Sequence, residues 1–159
     1  MLHLITGIVT EIAYCEADLH VMLQTESEQK IVFIINEDQF LIDEHGNALT
    51  WACVAAGNRI SAVLSDTTPM TMSIPPQISG AYGYVLTESE QIVCGSFDET
   101  MTDKDLLIAL EPDDTTCVRN LQGETISIAD CDFSEVIIVF GRSTRSIPAF
   151  VVPSCVICN

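Results

Sequence analysis

Apolar residues in this chain recur at every second position or in short unbroken runs, and seldom at helical spacing. Alternation of this kind marks half-buried strands, and short continuous runs mark strands covered on both faces. Strands are predicted at Gly7–Ile12, Leu19–Thr25, Lys30–Asn36 and Gln39–Asp43, with a turn at Asp43–Asn47 around Gly46. Thr50 as cap, the run Ala52–Ala56 and Gly57 as terminator predict one short helix. Strands resume at Arg59–Ser65 and Ile78–Leu86. The remainder predicts strands at Gln91–Glu99, Asp105–Glu111, Thr115–Asn120, Thr125–Ala129, Glu135–Gly141 and Phe150–Cys158.

The pattern is written twice. "EDQFLIDEHGNAL" aligns with "DDTTCVRNLQGETI" across one inserted residue, placing Asp38 on Asp114 and Gly46 on Gly123. "SIPPQISGAYGYV" from Ser73 aligns without a gap with "SIPAFVVPSCVIC" from Ser146. Each copy reads as a strand, a Ser/Thr-rich loop, Ser-Ile-Pro and a closing strand. Proline pushes the preceding residue into extended backbone and removes a donor, so Ile74 and Ile147 are expected extended, at strand entries or edges. Trans bonds are expected at Pro75, Pro76 and Pro148, since cis is the minority X-Pro form. Short strands with one short helix among them form the layout of a small Greek-key barrel of the OB type. The expectation is an all-β protein of two OB-like units packed as one body, at residues 1–88 and 89–159, the second abbreviated at its start.

Charge narrows the partners. The chain carries 23 acids against 6 bases, a formal charge of −17. Such a field repels phosphate backbones and anionic bilayers, which argues against nucleic acid and membrane. Basic proteins, cations, neutral ligands or a second copy remain. "MLHLITGIVTEI" has no basic n-region or long apolar core of an export signal. A cytoplasmic location follows, with a secreted or surface location as the alternative. Seven cysteines, scattered among apolar residues, are expected to be reduced and buried.

"PMTMSIPPQ", preceded by "GIVTEI", "IVFIINEDQFLID" and "GNRISAVLS", resembles a domain of uncharacterised Firmicutes proteins. Such domains often precede copper-amine-oxidase-like N-terminal domains. The resemblance spans most of residues 5–86 and, more loosely, 115–158. The "GRSTRSIP" copy departs from it by ending "AF" where the pattern has "PQ". It implies surface location but brings no activity and no catalytic residues.

Candidate chemistry falls in three places. Arg142, Ser143, Thr144, Arg145 and Ser146 put two of six basic residues beside three hydroxyls, a set suited to a carboxylate or phosphate. Pairing of the arginines with the protein's own acids is the alternative. Asp98, Asp103, Asp105, Asp130, Asp132 and Glu135 lie in oxygen-rich turns that could hold Ca²⁺, though none has EF-hand spacing. Cys155 and Cys158 form C-x-x-C, half of a Zn²⁺ set, yet lie on a predicted strand whose alternate faces they occupy. No cofactor is expected; Ca²⁺ or Zn²⁺ is the alternative. No nucleophile–base motif is present. A non-catalytic acidic interaction module that binds protein or self-associates is the leading reading, a metal-binding protein the second and a small hydrolase the last.

Overall fold

A computed structural model describes residues 1–159. The first half contains β1 (Leu2–Cys15), β2 (Asp18–Gln24), β3 (Lys30–Asn36), β4 (Phe40–Asp43), β5 (Arg59–Ser65), β6 (Gln77–Ile78) and β7 (Gly83–Thr87). The second contains β8 (Gln91–Gly95), β9 (Thr102–Asp103), β10 (Ile108–Leu110), β11 (Cys117–Asn120), β12 (Val136–Phe140), β13 (Ala149–Val151) and β14 (Cys155–Cys158). The protein is all-β, and no helix is long and apolar enough to cross a membrane.

The first half forms one sheet in the order β4-β7-β5-β1-β2-β3-β6. The second half runs β11-β14-β12-β8 in one sheet and β9-β10-β13 in another. Strand for strand this is the same order, interrupted only where β8 and β9 do not pair. The directions agree as well. β4 and β7 are parallel, as are β11 and β14; β3 and β6 are parallel, as are β10 and β13. The sheets are open, so the closed OB-type barrel expected from the sequence is absent.

Hydrogen bonds correct the alignment of the halves. The N–H of Asp38 donates to Asn36 Oδ1, and that of Thr115 to Asp113 Oδ1 in the matching turn. Asp38 therefore corresponds to Thr115, one residue beyond Asp114. Gly46 and Gly123 do correspond: both hold positive φ, at 83° and 80°, closing like turns. The gap-free match after Ser-Ile-Pro also fails by one residue, because Tyr82 N–H donates to Val63 O while Ser154 N–H donates to Val139 O.

Several expected elements are shorter. The predicted helix is one 3-10 turn, Trp51–Cys53, where Thr50 makes no side-chain cap and Val54 returns to extended backbone. The strand expected at Thr125–Ala129 is a single bridge at Thr125 followed by a 3-10 turn, Ile128–Asp130, capped by the Ser127 hydroxyl. Phe150–Cys158 divides into β13 and β14 around Pro153, which cannot donate to a ladder. Both Ile74–Pro75 and Ile147–Pro148 are cis, against the trans expectation.

Burial explains the unbroken apolar runs. In β12, Val136, Ile138 and Phe140 enter the core of the second half, while Ile137 and Val139 face the first half. In β5, Ile60, Ala62 and Leu64 enter the first-half core, and Val63 faces the second. Period two distributes successive residues to opposite faces, and both faces are covered. A third cluster thus joins the halves, with Leu2, Ile42, Val63 and Val85 against Leu121, Ile137, Val139 and Ile157.

Candidate functional site

The Ser-Ile-Pro loops lead into β6 and β13, and each is held by one chain of hydrogen bonds. The Gln77 N–H donates to Thr71 Oγ1 at 2.9 Å, and the two hydroxyl oxygens of Thr71 and Ser73 lie 2.6 Å apart. Ser73 Oγ then donates to Pro75 O at 3.0 Å. Each hydroxyl has one proton, so the Ser73 proton is spent on Pro75 and Thr71 must donate to Ser73. The second loop repeats this. Phe150 N–H donates to Thr144 Oγ1 at 2.9 Å, Thr144 and Ser146 Oγ lie 2.6 Å apart, and Ser146 Oγ donates to Pro148 O at 2.9 Å. The motif is Thr-x-Ser-Ile-Pro, and its hydroxyls brace the loop from inside.

The loops also cover the strand edges they lead into. Thr71 N–H donates to Gln77 O, and Thr144 N–H to Phe150 O. Bridges Met70–Ile78 and Ser143–Val151 complete the cover. An open strand edge invites pairing with another chain, and here each loop occupies that edge itself. What the loops present outward is side chain. Met72 and Ile74 are each 99% exposed and Ile147 is 82% exposed, with Arg145 exposed at the position matching Met72.

The five residues of the expected anion site divide in role. The Thr144 and Ser146 hydroxyls belong to the brace. Arg142, Ser143 and Thr144 line an open cavity of about 520 Å³ shared with Glu90 and Glu111. Glu90 Oε1 accepts from Ser154 Oγ at 2.8 Å, and its buried Oε2 has no partner. The cavity therefore mixes one cation with two carboxylates. Neither Arg142 nor Arg145 pairs with the chain's own acids, since the amino terminus makes the ion pairs, to Asp66 and Glu135.

The carboxylates of the expected metal turns are mostly taken up in their own turns. Asp98 Oδ1 accepts from Thr100 Oγ1, Thr100 N–H and Thr102 N–H, and the Thr100 hydroxyl chiefly lowers its pKa. Buried Asp103 accepts from Ser96, Asp105 and Leu106 N–H groups. Asp132 accepts from Ser134, which lowers its pKa. Glu135 accepts from Leu2 N–H and Asn159 Nδ2. Asp105 and Asp130 are exposed. No three metal-ligating side chains converge.

The cysteine expectation is corrected in part. Cys158 is bonded to Cys131, with Cα atoms 5.6 Å apart, so C-x-x-C is not a free pair. They meet at the second-half core, where Cys158 is fully buried and Cys131 half-buried against it. Cys155 is reduced and lies opposite Cys117 in parallel register. The Cys155 thiol hydrogen-bonds Cys117 and Arg119 stands close, pulling the Cys117 thiol down to about 6. That same bond and burial push Cys155 up.

Two residues had no signal in the sequence. Buried Glu44 accepts from the N–H groups of Glu88, Ser89 and Glu90, the segment between the halves. Arg119 donates to Gly46 O at 2.9 Å and to Gly123 O, tying the two matching turns together.

No protein family, curated protein or solved structure matches this chain.

Proposed function

We propose that the chain is a non-catalytic protein-interaction module built from two copies of one seven-stranded unit, 1–88 and 89–159. The repeated strand order and the repeated hydroxyl chain support the duplication; the repeat is of an open sheet, not of a closed OB barrel. The observation that carries the function is Ile74. An aliphatic side chain held 99% in water is unfavourable, yet Thr71 and Ser73 fix the loop that keeps it there. A braced loop loses little entropy when its outward side chains enter a partner's pocket. Met72 with Ile74 forms the first contact surface, and Arg145 with Ile147 the second.

The chain's field favours a basic partner, and it keeps nucleic acid and anionic bilayers away. The metal-binding alternative is weaker, because the turn carboxylates accept internal hydrogen bonds and Cys158 is in a disulfide. Five free cysteines, Cys15 and Cys53 among them exposed, fit a reducing compartment such as the cytoplasm, whereas the Cys131–Cys158 bond fits an oxidising one, so the cysteines leave both the cytoplasmic and the surface location open.

Photo-crosslinking tests the reading, with a photoreactive residue at position 74 or 147 and a control at exposed Tyr14. A discrete set of basic proteins captured from both loop positions, and not from position 14, is the expected result. Capture no greater than the control would remove the loops as a contact surface.

A further inference from the structure

The joint between the halves is built from the same positions of each. Val63 pairs with Gly83, and Val139 with Cys155, at equivalent points of the two sheets. Val63 and Val139 both lie in the joint cluster, as do the corresponding Val85 and Ile157. The turns behave likewise. A Cβ on Gly46 would lie 2.6 Å from Cys117 Sγ, and a Cβ on Gly123 would lie 2.6 Å from Phe40 Cβ. Phe40 and Cys117 are the first residues of β4 and β11, so each half inserts its own β-turn against the other's strand start. Such reciprocity, residue i on j and j on i, is the signature of a two-fold, self-complementary interface.

Each half also has a core that does not use the joint. Fifteen buried residues cluster inside the first half and ten inside the second. Opening the joint leaves both clusters intact but bares Val63, Val85, Ile137 and Ile157. Between the halves lies only Glu88–Glu90, a connection without strand or helix, whose N–H groups rest on the Glu44 carboxylate.

We propose that this joint is a docking face for a second copy of the same chain, occupied by exchange of halves, with the Glu44-held connection favouring the closed single chain. The proposal rests on the halves being copies of one module. It is independent of the loop contacts, whose cross-linking reads a different surface. In the exchanged dimer every contact of the joint is kept, and only the connection changes course. Short connections force such exchange because the chain cannot turn back on itself. Mutual repulsion of two acidic chains opposes it, so high ionic strength favours it.

The test is a chain lacking Glu88 and Ser89, weighed by light scattering during gel filtration at high salt. Twice the single-chain mass, with the circular dichroism of the intact protein, is the expected result. A folded species of single-chain mass would overturn the proposal. Should the shortened chain not fold, the intact protein carrying two distinguishable tags is unfolded together and refolded at high concentration and high salt. Doubly tagged dimers that survive dilution support the exchange, and their absence rejects it.

Discussion

The hydroxyl of Thr71 accepts the N–H of Gln77, and the carbonyl of Gln77 accepts the N–H of Thr71, so one threonine satisfies both groups of an edge residue. Thr71→Val keeps the branched shape and removes the hydroxyl. Gln77 N–H and the Ser73 hydroxyl then lose a partner at a site open to water. A loss of about 1 kcal/mol is expected, with much faster hydrogen exchange at the Gln77 amide. Thr144→Val should do the same at Phe150. Unchanged exchange at both amides would show that the brace contributes nothing to the loops.

Glu44 is 7% exposed and holds three N–H groups. Glu44→Ala leaves those donors without their charged acceptor, at a cost of about 2–3 kcal/mol. Glu44→Gln keeps one acceptor oxygen and should fall between. For a chain of this length, thermal unfolding should shift down by about 2–4 °C per kcal/mol. Equal melting temperatures for all three proteins would refute the role.

Ile137 and Ile138 are neighbours on β12 that face different clusters. Truncation of either to alanine is expected to cost about 2–5 kcal/mol. Their signatures should differ. Ile138→Ala weakens the second half from within, whereas Ile137→Ala weakens the joint. Calorimetry of Ile137→Ala should show a broadened or divided transition, and Ile138→Ala should lower the melting of the second half alone. Identical thermograms would contradict separate cores.

Cys117 and Cys155 share one readily lost proton. Cys117 releases it near pH 6 and Cys155 holds its own well above the ordinary thiol range. Alkylation of the folded protein should therefore saturate at Cys117 with a midpoint about 6, with Arg119→Gln moving it upward. The stability sign follows. An unfolded thiol titrates near 9.0. Between pH 6 and 9 the unfolded chain binds the extra proton, so stability rises with pH; above 9 the retained Cys155 proton makes it fall again. Mass spectrometry locating the first label on Cys155 would reverse the assignment.

Acid acts in one direction. Asp98, Asp113 and Asp132 are lowered by Thr100, Thr115 and Ser134 respectively, and Asp43 by the N–H groups of Asn47 and His45, which outweigh its partial burial. Depressed carboxylates stabilise fully above their ordinary value of 3.8 and cease to do so as pH falls through the folded value. Melting temperature should decline below about pH 4. Asp98→Asn should flatten that decline. A melting temperature that climbs below pH 4 would mean relief of the −17 charge outweighs the turns.

The strands were legible because period two is a local signal: β2, β3, β5 and β12 fall where alternation or apolar runs place them. The Ser-Ile-Pro recurrence was visible too, but its meaning was not. Thr71 to Gln77 is a six-residue hydrogen bond, and spacing alone does not separate a hydroxyl bracing its own loop from one awaiting an anion. The Cys131–Cys158 bond and the Glu44 contacts join residues far apart in sequence. Closure was misjudged because short strands in a barrel and in an open sheet carry the same alternation. The predicted helix failed for a local reason, since the five-residue stretch Ala52–Ala56, interrupted by Cys53 and Val54, is too short to stand without packing.

None of the lysine and arginine side chains forms an ion pair, although acids outnumber bases by almost four to one. Surface attraction between charges is nearly missing from this fold, and repulsion is abundant. Added electrolyte therefore has little to weaken and much to relieve. Where most proteins lose salt bridges in brine, this one should tighten, its strands held by apolar contact while its surface charge is screened away.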